Sequence, residues 1–261
     1  MAVALAALRS ALFVLWMTVT VVPVGTAVVV CSPFLGADAL YAMCMFWVRL
    51  AAEGSRVICG VRRRVRGLEN LPGRDQPEAS VILASKHQST WETFTFPMIM
   101  PHPLAYVFKR ELIYIPFFGW AMGQLDMIHI DRRKRAEAWS RVAAQGRRLA
   151  ARGKWVIMFP EGTRTPRGQK GSYKAGAARL AVDTGVPIVP IAVSSARCWP
   201  RRSFLLRPGV VDISIGRPIS PAGRQADELM REVEAWIEAE MRVIDPEAYA
   251  ATEPAAARAA A

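Results

Sequence analysis

Histidine is scarce in this chain, with three residues in 261, so the placement of each one is informative. Cysteine is almost as scarce, at four, and no two stand at CxxC or zinc-ligand spacing. Disulfides and a structural metal are therefore not expected. Cys31 and Cys44 fall in apolar segments while Cys59 and Cys198 are isolated, a usage that suits a reducing compartment. Several common chemistries also lack their signatures. There is no G-x-S-x-G elbow, no G-x-x-x-x-G-K-[ST] loop, no G-x-G-x-x-G after a strand and no H-E-x-x-H. Nucleotide-binding and zinc-peptidase readings lose their support, and no internal repeat points to a solenoid.

Charge is absent from Ala11 to Ser32, which is long enough to cross a bilayer although Pro23 interrupts it. A break at Ser32-Pro33-Phe34-Leu35-Gly36 separates it from a second apolar stretch, Ala39 to Val48, too short to cross upright. A spanning helix, a hairpin dipping into one leaflet and a signal peptide cleaved near Gly25-Thr26-Ala27 are the three readings of this region. The second apolar segment favours an anchoring hairpin over residues 1–55. Arg49, Arg56, Arg62, Arg63, Arg64 and Arg66 follow the apolar block, against Arg9 before it. The positive-inside rule then expects the C-terminal domain on the cytoplasmic side of a bacterial-type inner membrane.

The 34 basic residues outweigh the 22 acidic ones, for a formal net charge of +12. Clusters occur at Arg62-Arg63-Arg64, at Arg132-Arg133-Lys134-Arg135 and at Arg147-Arg148. Such clusters suit nucleic acid or an anionic membrane surface, or simply form a solvated basic face. With an apolar anchor beside the first cluster, anionic lipid is the simpler partner, at about 1 kcal/mol per nearby cation, and no nucleic acid is expected.

Past a basic linker at Val61 to Arg66, strand patterns alternate with helical ones, which predicts an α/β domain over 56–245 with a mixed, largely parallel sheet flanked by helices. Strands are expected at Val81 to Ala84, Leu104 to Phe108, Met127 to Ile130, Trp155 to Phe159, Ile188 to Val193 and Val210 to Ile215. Helices are expected at Arg135 to Ala151, Tyr173 to Asp183 and Ala226 to Val243. The Ala-rich segment 246–261 reads as a disordered tail.

Lys86-His87-Gln88-Ser89-Thr90-Trp91-Glu92 follows the first buried strand directly and carries the strongest chemical signal. Ser89 to Glu92 is also a capping box, with Glu92 folding back onto the Ser89 backbone. Capping accounts for Ser89 and Glu92 but leaves His87 unexplained. The two side chains meet only if His87 sits in the loop before the helix, where the carboxylate can hold the ring with one nitrogen ready to accept a proton. A second block, Phe159-Pro160-Glu161-Gly162-Thr163-Arg164, follows another strand; Gly162 permits close backbone approach and Arg164 presents a planar fork suited to phosphate. A third, Lys109-Arg110-Glu111-Leu112 with Pro116-Phe117-Phe118-Gly119, pairs cations for an anionic head group with aromatics for an acyl chain or the membrane interface. Lys174, at a helix start, is a further candidate anion contact.

These blocks occur in the order found in PlsC-type glycerolipid acyltransferases, and the stretch from Ser80 to Val193 resembles that family. His87 to Glu92 corresponds to its H-x4-D block, with Glu in place of Asp. Lys109, Glu111, Leu112, Pro116 and Gly119 match K-x-E-L…P-x-x-G; Phe159 to Arg164 is F-P-E-G-T-R; Val186-Pro187-Ile188-Val189-Pro190 is V-P-x-x-P. The resemblance implies a glycerol-3-phosphate acyltransferase-like fold, with His87 and Glu92 as the catalytic pair and no cofactor. Lys109, Arg110, Glu161, Gly162, Thr163, Arg164 and Lys174 would form the phosphate site, and Phe117, Phe118 and Pro187 acyl or membrane contacts. It implies acyl transfer from acyl-coenzyme A or acyl-acyl carrier protein to lysophosphatidic acid, or to another lysolipid. A membrane-tethered basic binder without catalysis is the rival, and it leaves the histidine and Phe-Pro-Glu-Gly blocks without purpose.

Overall fold

The computed structural model describes residues 2–130 and 135–250. Arg132, Arg133 and Lys134 of the second basic cluster and the tail from Ala251 onward lie outside the described residues.

Seven strands form one sheet, in the order β1-β7-β6-β2-β5-β3-β4. They are β1 (Val61–Arg66), β2 (Ile82–Ser85), β3 (Leu104–Lys109), β4 (Ile128–Ile130), β5 (Trp155–Met158), β6 (Ile188–Val193) and β7 (Gly209–Ile215). The run β6-β2-β5-β3-β4 is parallel, β7 is antiparallel to β6, and β1 pairs parallel with β7. β2 and β6 are buried at every position, as continuous apolar strands covered on both faces should be. The expected strands all form within a residue or so of their predicted ends. One strand was not expected: Val61 to Arg66, read above as a basic linker, is β1. Its Arg side chains are exposed, because an edge strand with charge facing water is not legible as half-buried alternation and resists edge-to-edge pairing.

Helices cover the two faces. α1 (Ala2–Cys31), α2 (Ala37–Cys59), α3 (Trp91–Ile99) and the short α4 (Phe118–Gly123) lie on one side; α5 (Arg135–Ala150), α6 (Gly176–Thr184) and α7 (Ala226–Ile244) on the other. A last turn, α8 (Pro246–Tyr249), buries Tyr249, so the start of the segment read as a disordered tail is folded.

The N-terminal helices differ most from expectation. α2 runs for 23 residues, well past the apolar stretch that suggested it, because its second half exchanges lipid-like apolarity for packing on the domain: Trp47, Ala51, Ala52 and Cys59 are core residues. α1 is just as engaged. Phe13 is fully buried with its ring centroid 6.5 Å from Phe94 and 6.0 Å from Trp199, and Ser10 Oγ accepts from the Leu206 amide. Between the helices, Trp16 donates to the Leu50 carbonyl and Trp47 to Thr20 Oγ1. Toward the turn, Tyr41 Oη accepts from the Leu104 amide at 2.9 Å. The pair therefore lies along the domain from end to end, while Leu5, Leu8, Leu12, Leu15, Val19 and Val30 of α1 remain exposed.

Phe13 belongs to the core of the α/β domain as much as to α1, so Phe13→Ala is expected to lower stability by about 3 to 5 kcal/mol, the range for a truncated buried aromatic. Denaturant unfolding of the detergent-solubilised protein measures it. A change under about 1 kcal/mol would mean that the helix is only loosely laid on the domain.

Candidate active site

Because four neighbouring strands run the same way, their carboxyl ends deliver four loops to one edge of the sheet. Ser194-Ser195 follows β6, Lys86 to Thr90 follows β2, Phe159 to Thr165 follows β5 and Lys109-Arg110 follows β3. The carboxyl edge of a parallel sheet is the usual place for a site, since loops there are held by rigid strands yet have exposed backbone.

His87 lies in the loop before α3, and its Nδ1 is 2.6 Å from Glu92 Oε2. Glu92 is wholly buried, and its other oxygen, Oε1, accepts from the amides of Gln88 (2.9 Å) and Ser89 (2.8 Å) and from the Ser195 hydroxyl. Three donors converge on Oε1, so that oxygen acts only as an acceptor; with Nδ1 as the donor to Oε2, the ring nitrogen left over is Nε2. The imidazole stacks on Phe159, with centroids 3.9 Å apart and planes 20° apart. Its side chain keeps 15% exposure, and Nε2 has no hydrogen bond among the described residues. The cap and the histidine contact thus share one side chain, with Oε1 serving the helix start and Oε2 the histidine.

The His87 backbone is held as firmly as its ring. Its amide donates to Glu161 Oε2 at 2.9 Å, and its carbonyl accepts from the Thr165 amide at 2.7 Å and hydroxyl at 3.1 Å. Gly162, at φ +65°, lets the Phe159 to Thr165 loop turn back to make both contacts. Glu161 Oε1 meets Lys86 Nζ at 2.7 Å and the Gly171 amide at 3.2 Å; a Cβ at position 171 would sit 2.7 Å from that oxygen. Lys86 is completely buried and also bonds Glu238 Oε1 of α7 at 2.7 Å. Burial raises the Glu161 carboxyl above its ordinary range, against the lowering effect of Lys86.

The expected phosphate residues divide. Arg164 reaches the start of α3, where its guanidinium bonds Thr90 Oγ1 at 2.5 Å, so its charge stands three residues from His87. The Lys174 amide is tied to the Pro160 carbonyl, which holds that exposed side chain beside the same loop. Lys109 ends β3, the strand next to β5 at the same carboxyl edge, and is exposed with exposed Arg110 next to it. Among the described residues, none of these four cations has a salt bridge. Thr163 is exposed in the same loop.

Three expectations need correction. Glu161 is no phosphate ligand: both its oxygens are committed to Lys86, Gly171 and the His87 amide, and a buried anion would repel phosphate. Pro187 lies at the amino end of β6, where its carbonyl accepts from Ile82, so the length of the strand separates it from His87. It supports the opposite edge of the sheet. Phe118 turns inward rather than toward a chain or lipid, packing on Trp47 of α2 at 5.6 Å, whereas the half-buried Phe117 has its backbone against Gly25 of α1 and its ring 5.2 Å from the exposed Trp120. The apolar surface of that block is made instead by Tyr114, Ile115 and Trp120, which are 69%, 43% and 45% exposed.

Ser195, Lys86 and Glu238 were not anticipated. For Glu238 a signal existed, because it interrupts the apolar face of α7 formed by Leu229, Met230, Val233, Ile237 and Met241.

The arrangement has counterparts. A family model described as Acyltransferase matches residues 62–194, a span that encloses the loops after β2, β3 and β5 and ends at Ser194. The fold superposes on the crystal structure of a 1-acyl-sn-glycerophosphate acyltransferase, PlsC, from Thermotoga maritima with a TM-score of 0.75, covering 90% of this chain and 94% of that one at 25% identity. Over 244 residues, 92% of this chain and 93% of its relative, the sequence is 40% identical to a 1-acyl-sn-glycerol-3-phosphate acyltransferase of Pseudomonas aeruginosa. The chain belongs to the PlsC-type acyltransferase family. A human relative, 1-acyl-sn-glycerol-3-phosphate acyltransferase alpha, is 30% identical across 70% of this chain and 63% of its own length. The protein is thus an acyltransferase, and its N-terminal apolar helix accords with association with a membrane.

Within this acyltransferase, Glu92→Gln keeps the shape and an oxygen for the Gln88 and Ser89 amides while removing the charge opposite His87. Turnover is expected to fall by about 10²-fold or more with the melting temperature little changed. Full turnover in that variant would reduce Glu92 to a helix cap.

Proposed function

We propose that this protein transfers a fatty acyl group from an acyl thioester to the free sn-2 hydroxyl of 1-acyl-sn-glycerol-3-phosphate, giving phosphatidic acid for phospholipid biosynthesis. The observation that carries this reading is the His87 Nδ1 to Glu92 Oε2 contact at 2.6 Å, supported by the Arg164 guanidinium bonded to Thr90 in the same loop.

His87 Nε2 takes the proton of the acceptor hydroxyl as its oxygen attacks the thioester carbonyl. Glu92 stabilises the imidazolium that forms, and the collapsing tetrahedral intermediate expels the thiolate, which receives the proton back from Nε2. No acyl-enzyme is needed. Arg164, Lys174, Lys109 and Arg110 approach the acceptor phosphate from three loops, with Thr163 as a neutral neighbour; the Gly162 amide is taken by the Phe159 carbonyl at 2.9 Å, so Gly162 shapes the loop rather than binding the phosphate. The thiol carrier is coenzyme A or acyl carrier protein, since both present the same phosphopantetheine thioester to a histidine base.

The α1–α2 hairpin seats the domain on one leaflet rather than spanning it. Its helices pack along the domain, and Cys59 at the end of α2 lies beside the Arg9 carbonyl of α1, so both ends of the hairpin return to the same side. The outward face of α1 and the Tyr114, Ile115 and Trp120 surface form the lipid contact, with aromatics at the interfacial level. The excess of arginine after the hairpin puts the domain on the cytoplasmic side of a bacterial-type inner membrane, where anionic lipid adds to the attraction.

An acyl-transfer assay in mixed vesicles, with lysophosphatidic acid and other lysolipids as acceptors and both thioester carriers as donors, tests the reading. His87→Ala is expected to cut turnover by about 10³-fold or more, and residual activity near wild type would overturn the general-base assignment. Arg164→Ala is expected to raise KM for lysophosphatidic acid by about tenfold with a smaller change for acceptors lacking a phosphate monoester. Equal effects on both acceptor types would remove Arg164 from the phosphate site.

A further inference from the structure

Beneath the His87 loop lies a buried charged cluster that the chemistry above does not use. Lys86 Nζ has three donors and finds three acceptors: Glu161 Oε1 at 2.7 Å, Glu238 Oε1 at 2.7 Å and the Gln169 carbonyl at 3.1 Å. Tyr173 donates to the same Glu238 oxygen at 2.7 Å, and its ring lies 5.7 Å from the ammonium. With every donor satisfied, the ammonium has one orientation, and that orientation fixes Glu161. Glu161 in turn holds the His87 amide, so the chain of contacts runs from α7 through a lysine to the backbone of the proposed base. Glu238 stands well outside residues 62–194, the span that matches the family.

We infer that Glu238 and Lys86 are positioning residues for His87, and that α7 sets the active-site geometry through them. A buried cluster of one cation and two carboxylates is not explained by stability. Such groups lose more in desolvation than a well-packed apolar replacement would. Helix packing alone would be served by leucine at position 238, in line with the neighbouring apolar residues of α7. What leucine cannot supply is the acceptor that holds the ammonium against Glu161. The ring of His87 is oriented by Glu92 and its backbone by Glu161. A shift of about 1 Å in that backbone would spoil the approach of Nε2 to a hydroxyl while leaving the phosphate-binding cations in place.

The inference rests on His87 being the base, so His87→Ala accompanies every assay. Glu238→Leu leaves the Lys86–Glu161 pair neutral overall and removes one acceptor. It is expected to lower kcat by about tenfold or more with KM for lysophosphatidic acid changed less than about threefold. Glu238→Gln, which keeps an oxygen for Lys86 and Tyr173, is expected to restore kcat to within about threefold of wild type. The deficit of Glu238→Leu should largely vanish in a Glu161→Gln background, because the route to His87 is already cut there. Should Glu238→Leu prove too unstable to purify, Glu238→Asp, which withdraws the acceptor by one methylene at constant charge, replaces it with the same expectation. Wild-type kcat in Glu238→Leu or its Asp replacement, or additive losses with Glu161→Gln, would overturn the inference and leave the cluster a structural support. Wild-type turnover in His87→Ala would instead overturn the assignment of the base itself.

Discussion

A buried carboxylate without a cation beside it is the constraint on which this site depends. Glu92 has no exposure, and apart from His87 no positive group among the described residues lies within ion-pair distance. Its charge is carried by dipoles: the Gln88 and Ser89 amides at the start of α3, the Ser195 hydroxyl, and the helix behind them. Those donors must all converge on Oε1 if Oε2 is to remain for His87. The Glu92 side chain spans from the cap donors to the imidazole, and Ser195, from the loop after β6, supplies the third donor to Oε1.

The sheet makes this convergence possible. β6, β2 and β5 are adjacent and parallel, so Ser195, His87 and the Phe159 to Thr165 loop leave the sheet side by side, and each loop holds the next. The hairpin is part of the same construction. α1 buries Phe13 against Phe94 of α3, and α2 packs on the same helix, so the apolar N-terminal helices also bear on the helix that carries Glu92. An enzyme whose acceptor and product are both amphiphiles has reason to couple the proposed membrane seat rigidly to the proposed base. A flexible tether would allow the site to drift away from the interface.

Much of this was legible in the chain. Continuous apolar runs marked the parallel strands because strands buried on both faces leave no polar alternation, and the blocks after β2 and β5 declared themselves through residue types that turns alone do not require. β1 was hidden because an edge strand wears its charge outward and looks like a linker. The course of α2 was hidden because its second half is held by tertiary packing rather than by an apolar run. Pro187 and Phe118 sit in recognisable blocks, yet which end of a strand or which face of a turn a side chain occupies is decided by topology. Glu161 misled for a related reason: its motif is a loop motif, but whether its carboxylate faces solvent or a buried lysine depends on a residue contributed by α7, far along the chain.

The two carboxylates around His87 show how one residue type is assigned opposite tasks by its surroundings. Glu161 is matched by Lys86, so its charge is spent inside the protein and cannot respond to events at the ring; it can only hold the backbone. Glu92 is matched by dipoles alone, so its interaction with His87 strengthens when the ring takes up a proton. That difference is the one the proposed general-base step requires, because stabilisation present equally before and during proton transfer does not lower the barrier. The placement of Lys86 next to His87 in sequence, yet directed away from Glu92 and into the cluster with α7, therefore matters as much to the site as the histidine it precedes.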